Sequence, residues 1–187
     1  VSHYRLSLHL TIAVMIILII FWLLLNIKNN TNYKFFSGNK SNFPYLLLIL
    51  FIYLQIIVGA FVSGLDAGKI YQTWPLMGSS YIPDDLIVNN FINYFDFDNH
   101  SLVQFYHRNL AYIISAYIVF LFFRVFIFKN YHLYKPVLIL FIILLLQIFL
   151  GILTLKSDLH IMIASAHQIS SVILVLSSIN LYYSAIK

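Results

Sequence analysis

Residues 45–65 read YLLLILFIYLQIIVGAFVSGL, and this segment decides the architecture. It holds 21 residues without one Asp, Glu, Lys or Arg. At the α-helical rise such a run covers ~30 Å, the thickness of a bilayer's hydrocarbon core. Backbone amides in hydrocarbon have no water to bond, and the segment does not alternate as a barrel strand would, so it must be a helix. Working outward, four more runs of the same kind lie at 6–27, 102–123, 137–155 and 161–183, and only Arg108 places a formal charge inside any of them. The whole chain agrees: 187 residues, 61% hydrophobic and 9% charged, with mean hydropathy +0.89. That composition excludes an ordinary soluble domain and predicts an all-α, polytopic membrane protein with five transmembrane helices, four of them forming an antiparallel bundle. The first run is too long for a secretory signal and lacks a small-residue cleavage pattern. It also opens on Val1, which suggests a chain beginning inside a longer one.

The charges assign the two ends. Lys28, Lys34 and Lys40 fall between runs one and two, Arg124, Lys129 and Lys135 between three and four, and Lys187 at the end. The opposite side holds Arg5, Lys69, Arg108 and Lys156 with all six Asp. The positive-inside bias then places the N-terminus and the loop 66–100 outside, in the periplasm or intermembrane space, with the membrane either a bacterial plasma membrane or a mitochondrial inner membrane. The net charge of +5 comes from residues scattered singly, so no basic patch for nucleic acid exists. Without cysteine there is no disulfide framework and no thiolate site. The loop, with Gly64, Gly68, Tyr71, Trp74, Pro75, Met77, Gly78 and Pro83, is either a partly ordered cap containing a short interfacial helix or a solvated connector.

Leu54-Gln55-Ile56-Ile57-Val58-Gly59 in the second run recurs as Leu146-Gln147-Ile148-Phe149-Leu150-Gly151 in the fourth. Each run points outward and is followed by a helix returning with a histidine in its first third, so the chain carries one helical hairpin twice. Gln and Gly four residues apart share a helix face, where Gly admits a close neighbour and Gln needs a polar partner.

The returning helices bring His107 and His167 to matching depth, about 10 Å below the boundary. An imidazole in the bilayer is costly unless it is paired, coordinated or in a polar cavity. One alone could be a structural hydrogen-bonding residue. Two on repeat-related helices, with no Cys, Glu or intramembrane Asp beside them, point to shared coordination of an iron porphyrin from both faces. Zinc fits less well because a structural site wants four ligands. His9 enters the first helix at a similar place without a partner, and is either a ligand whose mate lies upstream of Val1 or an interfacial histidine. Arg108 can snorkel outward to a carboxylate such as a haem propionate, or meet lipid headgroups. His3, His100, His132 and His160 read as solvated interface residues.

These residues resemble the haem A synthases in their mitochondrial and alphaproteobacterial form. The resemblance rests on Val1-Ser2-His3-Tyr4-Arg5-Leu6-Ser7-Leu8-His9-Leu10, Gly64-Leu65-Asp66-Ala67-Gly68, Tyr71, Thr73-Trp74-Pro75-Leu76-Met77, Gln104-Phe105-Tyr106-His107-Arg108, Leu150-Gly151-Ile152-Leu153-Thr154-Leu155 and His167-Gln168. These stretches cover nearly the whole chain in the family's order, and the Gly64 to Met77 block is the most specific. The family looks like eight helices in two similar four-helix bundles, and this chain resembles the C-terminal five. The resemblance implies that residues 1–28 are a helix of an N-terminal bundle, 29–43 an inner loop, and 44–187 a C-terminal bundle holding haem b. His107 and His167 would be its axial pair, Arg108 a cofactor contact, and His9 a catalytic-side ligand facing the substrate, haem O. The implied reaction oxidises a methyl group of haem O, through hydroxylated intermediates, to the formyl group of haem A for cytochrome oxidase. Haem O synthase and cytochrome oxidase assembly proteins are the implied partners, with membrane lipid around the helices. The departure is that the family's first half carries another substrate-side His and a Glu, and no Glu occurs here. This portion alone is therefore expected to be inactive. A di-haem membrane electron-transfer cytochrome without haem-modifying activity is the alternative. A transporter would want broken helices or midplane polar residues, which the runs scarcely offer.

Overall fold

The computed structural model describes residues 2–36, 39–86 and 91–186. Five helices carry the chain: α1 (His3–Asn29), α2 (Phe43–Gly64), α3 (His100–Ile127), α4 (Tyr131–Lys156) and α5 (Ile161–Ile186). Each is long and apolar enough to cross a membrane, and among the described residues there is no strand, only a bridge between Met77 and Ser80. The chain is thus the all-α, multi-pass membrane protein expected from its hydropathy.

The helices overrun the apolar segments by a few residues, since helical hydrogen bonding continues into the interfacial zone. Local chemistry ends them. Asn99 accepts the amide of Leu102 at 3.0 Å and starts α3. Left-handed residues close three others: Asn30 after α1 (φ 51°), Lys129 after α3 (φ 51°), and Asp158 with Leu159 after α4 (φ 54° and 56°). Pro136 sits inside α4 near its first turns, where a missing N–H is tolerated better than at midspan. Several Ser hydroxyls of α5 bond to carbonyls of their own helix, as with Ser178 to Val175 at 2.7 Å and Ser177 to Ile173 at 2.8 Å. Such back-bonding satisfies each hydroxyl without a partner helix.

Consecutive helices run antiparallel. Tyr117 Oη donates to the Pro44 carbonyl at 3.0 Å while His107 meets Gln55, and Phe122 packs on Phe141 while Phe126 packs on Tyr134. Helices α2, α3, α4 and α5 close a ring of neighbours, and α1 lies outside it against α2 and α5. The larger cluster of fully buried apolar side chains lies in the half toward residues 30–42 and 128–130, while Ala67, Met77, Leu102 and Val103 are equally buried at the opposite end. Leu48, Ile52, Ile118, Leu121, Val125, Val137, Leu140, Val175, Ile179 and Leu181 are all at most 2% exposed. In the opposite half, the level of His107 and His167 is only half-buried.

Contacts of α1 are narrow. Only Ser7, Val14 and Trp22 are buried, a stripe repeating every seven or eight residues; Leu10, Leu18, Phe21 and Leu25 beside it are partly buried against the core, and residues such as Leu8, Ile12, Ile16, Ile19 and Leu23 are exposed. Trp22 anchors the stripe by stacking on Tyr182 (5.7 Å between centroids), meeting Phe35 edge-on (5.0 Å) and donating Nε1–H to the Tyr33 carbonyl at 3.2 Å.

Two short turns lie among the described residues of the long loop. One 3-10 turn covers Ala67–Lys69 and another Phe91–Phe95, so the expected short helix takes the form of two single turns. Residues 87–90 of the loop 66–100 lie outside the described residues, as do residues 1, 37, 38 and 187 of the flanking segments.

Candidate functional site

Both copies of the hairpin set a Gln and a Gly against the histidine of the following helix. On α2, Gln55 donates Nε2–H to the main-chain carbonyl of His107 at 2.9 Å, and its nitrogen lies 3.1 and 3.4 Å from the two ring nitrogens. One turn on, a β-carbon at Gly59 would stand 3.1 Å from Cε1 of His107. On α4, Gln147 reaches His167 at 3.5 Å and accepts from the Ser170 hydroxyl. A β-carbon at Gly151 would stand 3.0 Å from Cε1 of His167. The repeated Gln and Gly therefore form the walls against which the two histidines of α3 and α5 pack. His167 Nδ1 is buried without a hydrogen-bond partner. Among the described residues no three His, Cys or carboxylate side chains converge on a point.

Arg108, 8% exposed, reaches the carbonyls of the loop. Its Nη1 donates to the carbonyls of Thr73 (2.8 Å) and Leu76 (3.1 Å), and its Nη2 donates to that of Tyr71 (2.7 Å). Gln104, one turn earlier, donates to the same Tyr71 carbonyl at 2.9 Å. The loop bonds itself from within: Thr73 Oγ1 donates to Leu76 O and accepts from the Gly78 amide, and the Met77 amide donates to Ser80 O at 2.8 Å. Gly78 has φ 81°, a backbone state that glycine adopts without strain. Asp85 ties the loop to the start of α3 by accepting from Tyr71 Oη at 2.5 Å and Ser101 Oγ at 2.6 Å. Desolvation pushes the Asp85 carboxyl up, but the hydroxyls of Ser101 and Tyr71, together with a backbone hydrogen bond, outweigh it and hold the group below the usual carboxylate range. The bond to Asp85, with desolvation adding, raises the Tyr71 phenol. The second hairpin is joined as well, since Gln72 donates to Asp158 at 2.6 Å.

The remaining histidines divide. His9 lies on the exposed face of α1, apart from the packed interior. His3, expected to be solvated, instead meets Asp98 at an ion-pair distance of 2.8 Å with its side chain 17% exposed, and Tyr4 Oη donates to the same carboxylate at 3.3 Å. Ser170 and the Asp85 network escaped the sequence reading. A Ser three residues after His167 was available as a signal, whereas the pairing of Asp85 with Ser101 depends on the loop's path.

Residues 1–179 match the COX15-CtaA family, described as cytochrome oxidase assembly protein. The chain is similar to the heme A synthase of Pelagibacter ubique (strain HTCC1062), 44% identical over 178 residues that make up 95% of this chain and 51% of that protein. It is similar also to the heme A synthase of Wolbachia pipientis wMel, 40% identical over 184 residues covering 96% of this chain and 50% of that protein. A third relative, the heme A synthase of Rickettsia bellii (strain OSU 85-389), is 39% identical over 191 residues covering 100% of this chain and 56% of that protein. The chain spans about half the length of the curated relatives it matches. Through this match, which runs over residues 1–179 from the first helix into the last, the chain belongs to the haem A synthase family of cytochrome oxidase assembly proteins.

Proposed function

We propose that the bundle of α2 to α5 holds a haem b between His107 and His167, and that the protein serves the oxidation of haem O to haem A. The observation that carries this reading is the duplicated contact, in which each histidine lies against a Gln and a Gly of the preceding helix. The donor set suits the group: two imidazoles and no thiolate are what a six-coordinate iron porphyrin takes, and a half-buried level between the helices suits its apolar faces. The partnerless Nδ1 of His167 and the glycines beside both rings fit as well. Bound there, the iron supplies reversible one-electron transfer.

Converting a methyl to a formyl group removes four electrons, so a one-electron relay in the same protein has a use. Two protein ligands leave such an iron no vacant position, which assigns substrate chemistry to the other side of the molecule. His9, on the exposed face of α1, is the residue of this chain that would face the substrate haem O. Residues 1–28 then belong with an N-terminal bundle and 44–187 with the haem b bundle. Arg108 and Gln104 hold the loop 66–86 over the end of α3, with Arg108 Nε left without a partner and available to a propionate. The N-terminus and loop 66–100 face the periplasm or intermembrane space, and the assembly machinery of cytochrome oxidase, with haem O synthase upstream, supplies the partners.

The test is the visible spectrum of the purified protein. A low-spin haem b spectrum lost in both His107→Ala and His167→Ala, with membrane insertion unchanged, supports the assignment, and its retention in either variant defeats it. Haem extraction with mass analysis of the full-length protein addresses the reaction: haem O or haem A supports it, and haem b alone favours a di-haem electron-transfer cytochrome.

A further inference from the structure

The amide of Gln55 does not approach His107 as a lone-pair hydrogen bond would. An in-plane bond to Nδ1 would leave Nε2 roughly 5 Å away, from ring dimensions and ordinary donor distances. The observed separations are 3.1 and 3.4 Å, so the amide nitrogen lies over the ring's face. It is held there by its bond to the His107 carbonyl at 2.9 Å. Gly59 brings the α2 backbone against the ring at Cε1, where a methyl group would press at 3.1 Å. In the second hairpin Gly151 does the same to His167 at 3.0 Å, and Gln147 Oε1 meets the Ser170 hydroxyl, whose single proton lies between it and the His167 carbonyl at 2.9 Å. Each ring is therefore packed by its neighbour helix and not only by its own rotamer.

We propose that Gln55 with Gly59, and Gln147 with Gly151, are positioning pairs that set the plane of each axial imidazole. The inference rests on the bis-imidazole reading above and concerns the orientation of the two rings. The angle between two imidazole planes splits the iron d orbitals and so sets the g-anisotropy of the ferric haem, while outer contacts to a ligating histidine tune its donor strength and the iron's potential. The two sites are built differently, one amide bound to a carbonyl and the other to a hydroxyl, which permits the rings to be adjusted independently.

Electron paramagnetic resonance and redox titration of the haem-loaded protein test this. Gly59→Ala and Gly151→Ala each introduce a methyl into the ring contact, and the largest g-value and the midpoint potential are expected to move. Gln55→Leu and Gln147→Leu remove the amide without adding bulk at the glycine, and are expected to move both readouts with haem retained. Leu54→Ala, on the exposed side of the same helix, is expected to leave them at parent values. Unchanged g-values and potential in all four Gln and Gly variants overturn the proposal while leaving ligation intact. If a glycine variant loses haem, the matching Gln→Leu variant decides, a shift supporting the proposal and no shift refuting it. Ligation is judged separately, since a low-spin signal surviving in His107→Ala or His167→Ala defeats the underlying reading.

Discussion

Arg108→Leu removes the fork that gathers the Tyr71, Thr73 and Leu76 carbonyls, at 2.7, 2.8 and 3.1 Å. Hydrogen bonds from a charged donor contribute ~1.5–3 kcal/mol each. Three would sum to more than the loop loses, because Thr73 and Leu76 are exposed and their carbonyls regain water. A net local loss of about 2–4 kcal/mol follows, which is ~30-fold to ~700-fold in the equilibrium for opening the loop. Hydrogen–deuterium exchange reads this directly at the amides of Met77 and Gly78, whose acceptors are Ser80 O and Thr73 Oγ1. Their protection should fall by that factor, while amides of α3 between residues 114 and 125 keep theirs, because the tightly packed core lies at the other end of the bundle. Arg108→Lys, a point charge without the planar fork, should fall between the two. Unchanged protection at Met77 and Gly78 in Arg108→Leu would refute the assignment of Arg108 as the loop's clamp, and so would equal loss along the helices.

Three further outcomes follow from the same contacts. Asp85 has a lowered pKa in the folded loop, so its contribution is complete above the unfolded carboxyl pKa and disappears as pH falls through the folded value. Loop protection should be flat from about pH 5 to 8 and drop only below about pH 4, and a drop near pH 6 would assign the dependence to another group. Trp22→Ala should weaken the docking of α1 by about 3 kcal/mol. Cysteines placed at Ser7 and Ile57, which touch through Ser7 Oγ at 3.4 Å, should cross-link more slowly in that variant of a chain without native cysteine; an unchanged rate would contradict the anchor. Leu140→Ala opens a cavity at a fully buried position. Lipid is as apolar as the core, so the transfer part of the usual cost shrinks and about 2 kcal/mol from lost packing remains, visible as a lower thermal midpoint in detergent; a midpoint equal to the parent's would contradict the packing.

The helices were legible because desolvated backbone leaves one solution: any apolar run as long as 45–65 must be helical. Their ends were less so, since Asn99 capping α3 and Pro136 inside α4 depend on interfacial conditions that hydropathy does not register. The Gln and Gly repeat was legible as a pattern calling for a close neighbour and a polar partner on one helix face, but it did not announce that the histidine of the next helix would meet both. The loop was not. Nothing in the order of Tyr71, Asp85, Ser101 and Arg108 announces that the guanidinium closes on three carbonyls while the carboxylate takes two hydroxyls, because those contacts arise from a chain path with no periodicity. His3 was misread for a related reason, its partner Asp98 being 95 residues away.

Which two side chains ligate iron is read by near-infrared magnetic circular dichroism, through the energy of the porphyrin-to-iron charge-transfer band. In the ferric protein the band should lie at the bis-imidazole position, and should move to the imidazole–thioether position in His107→Met and in His167→Met alike. A band that stays in place in either variant would contradict the account.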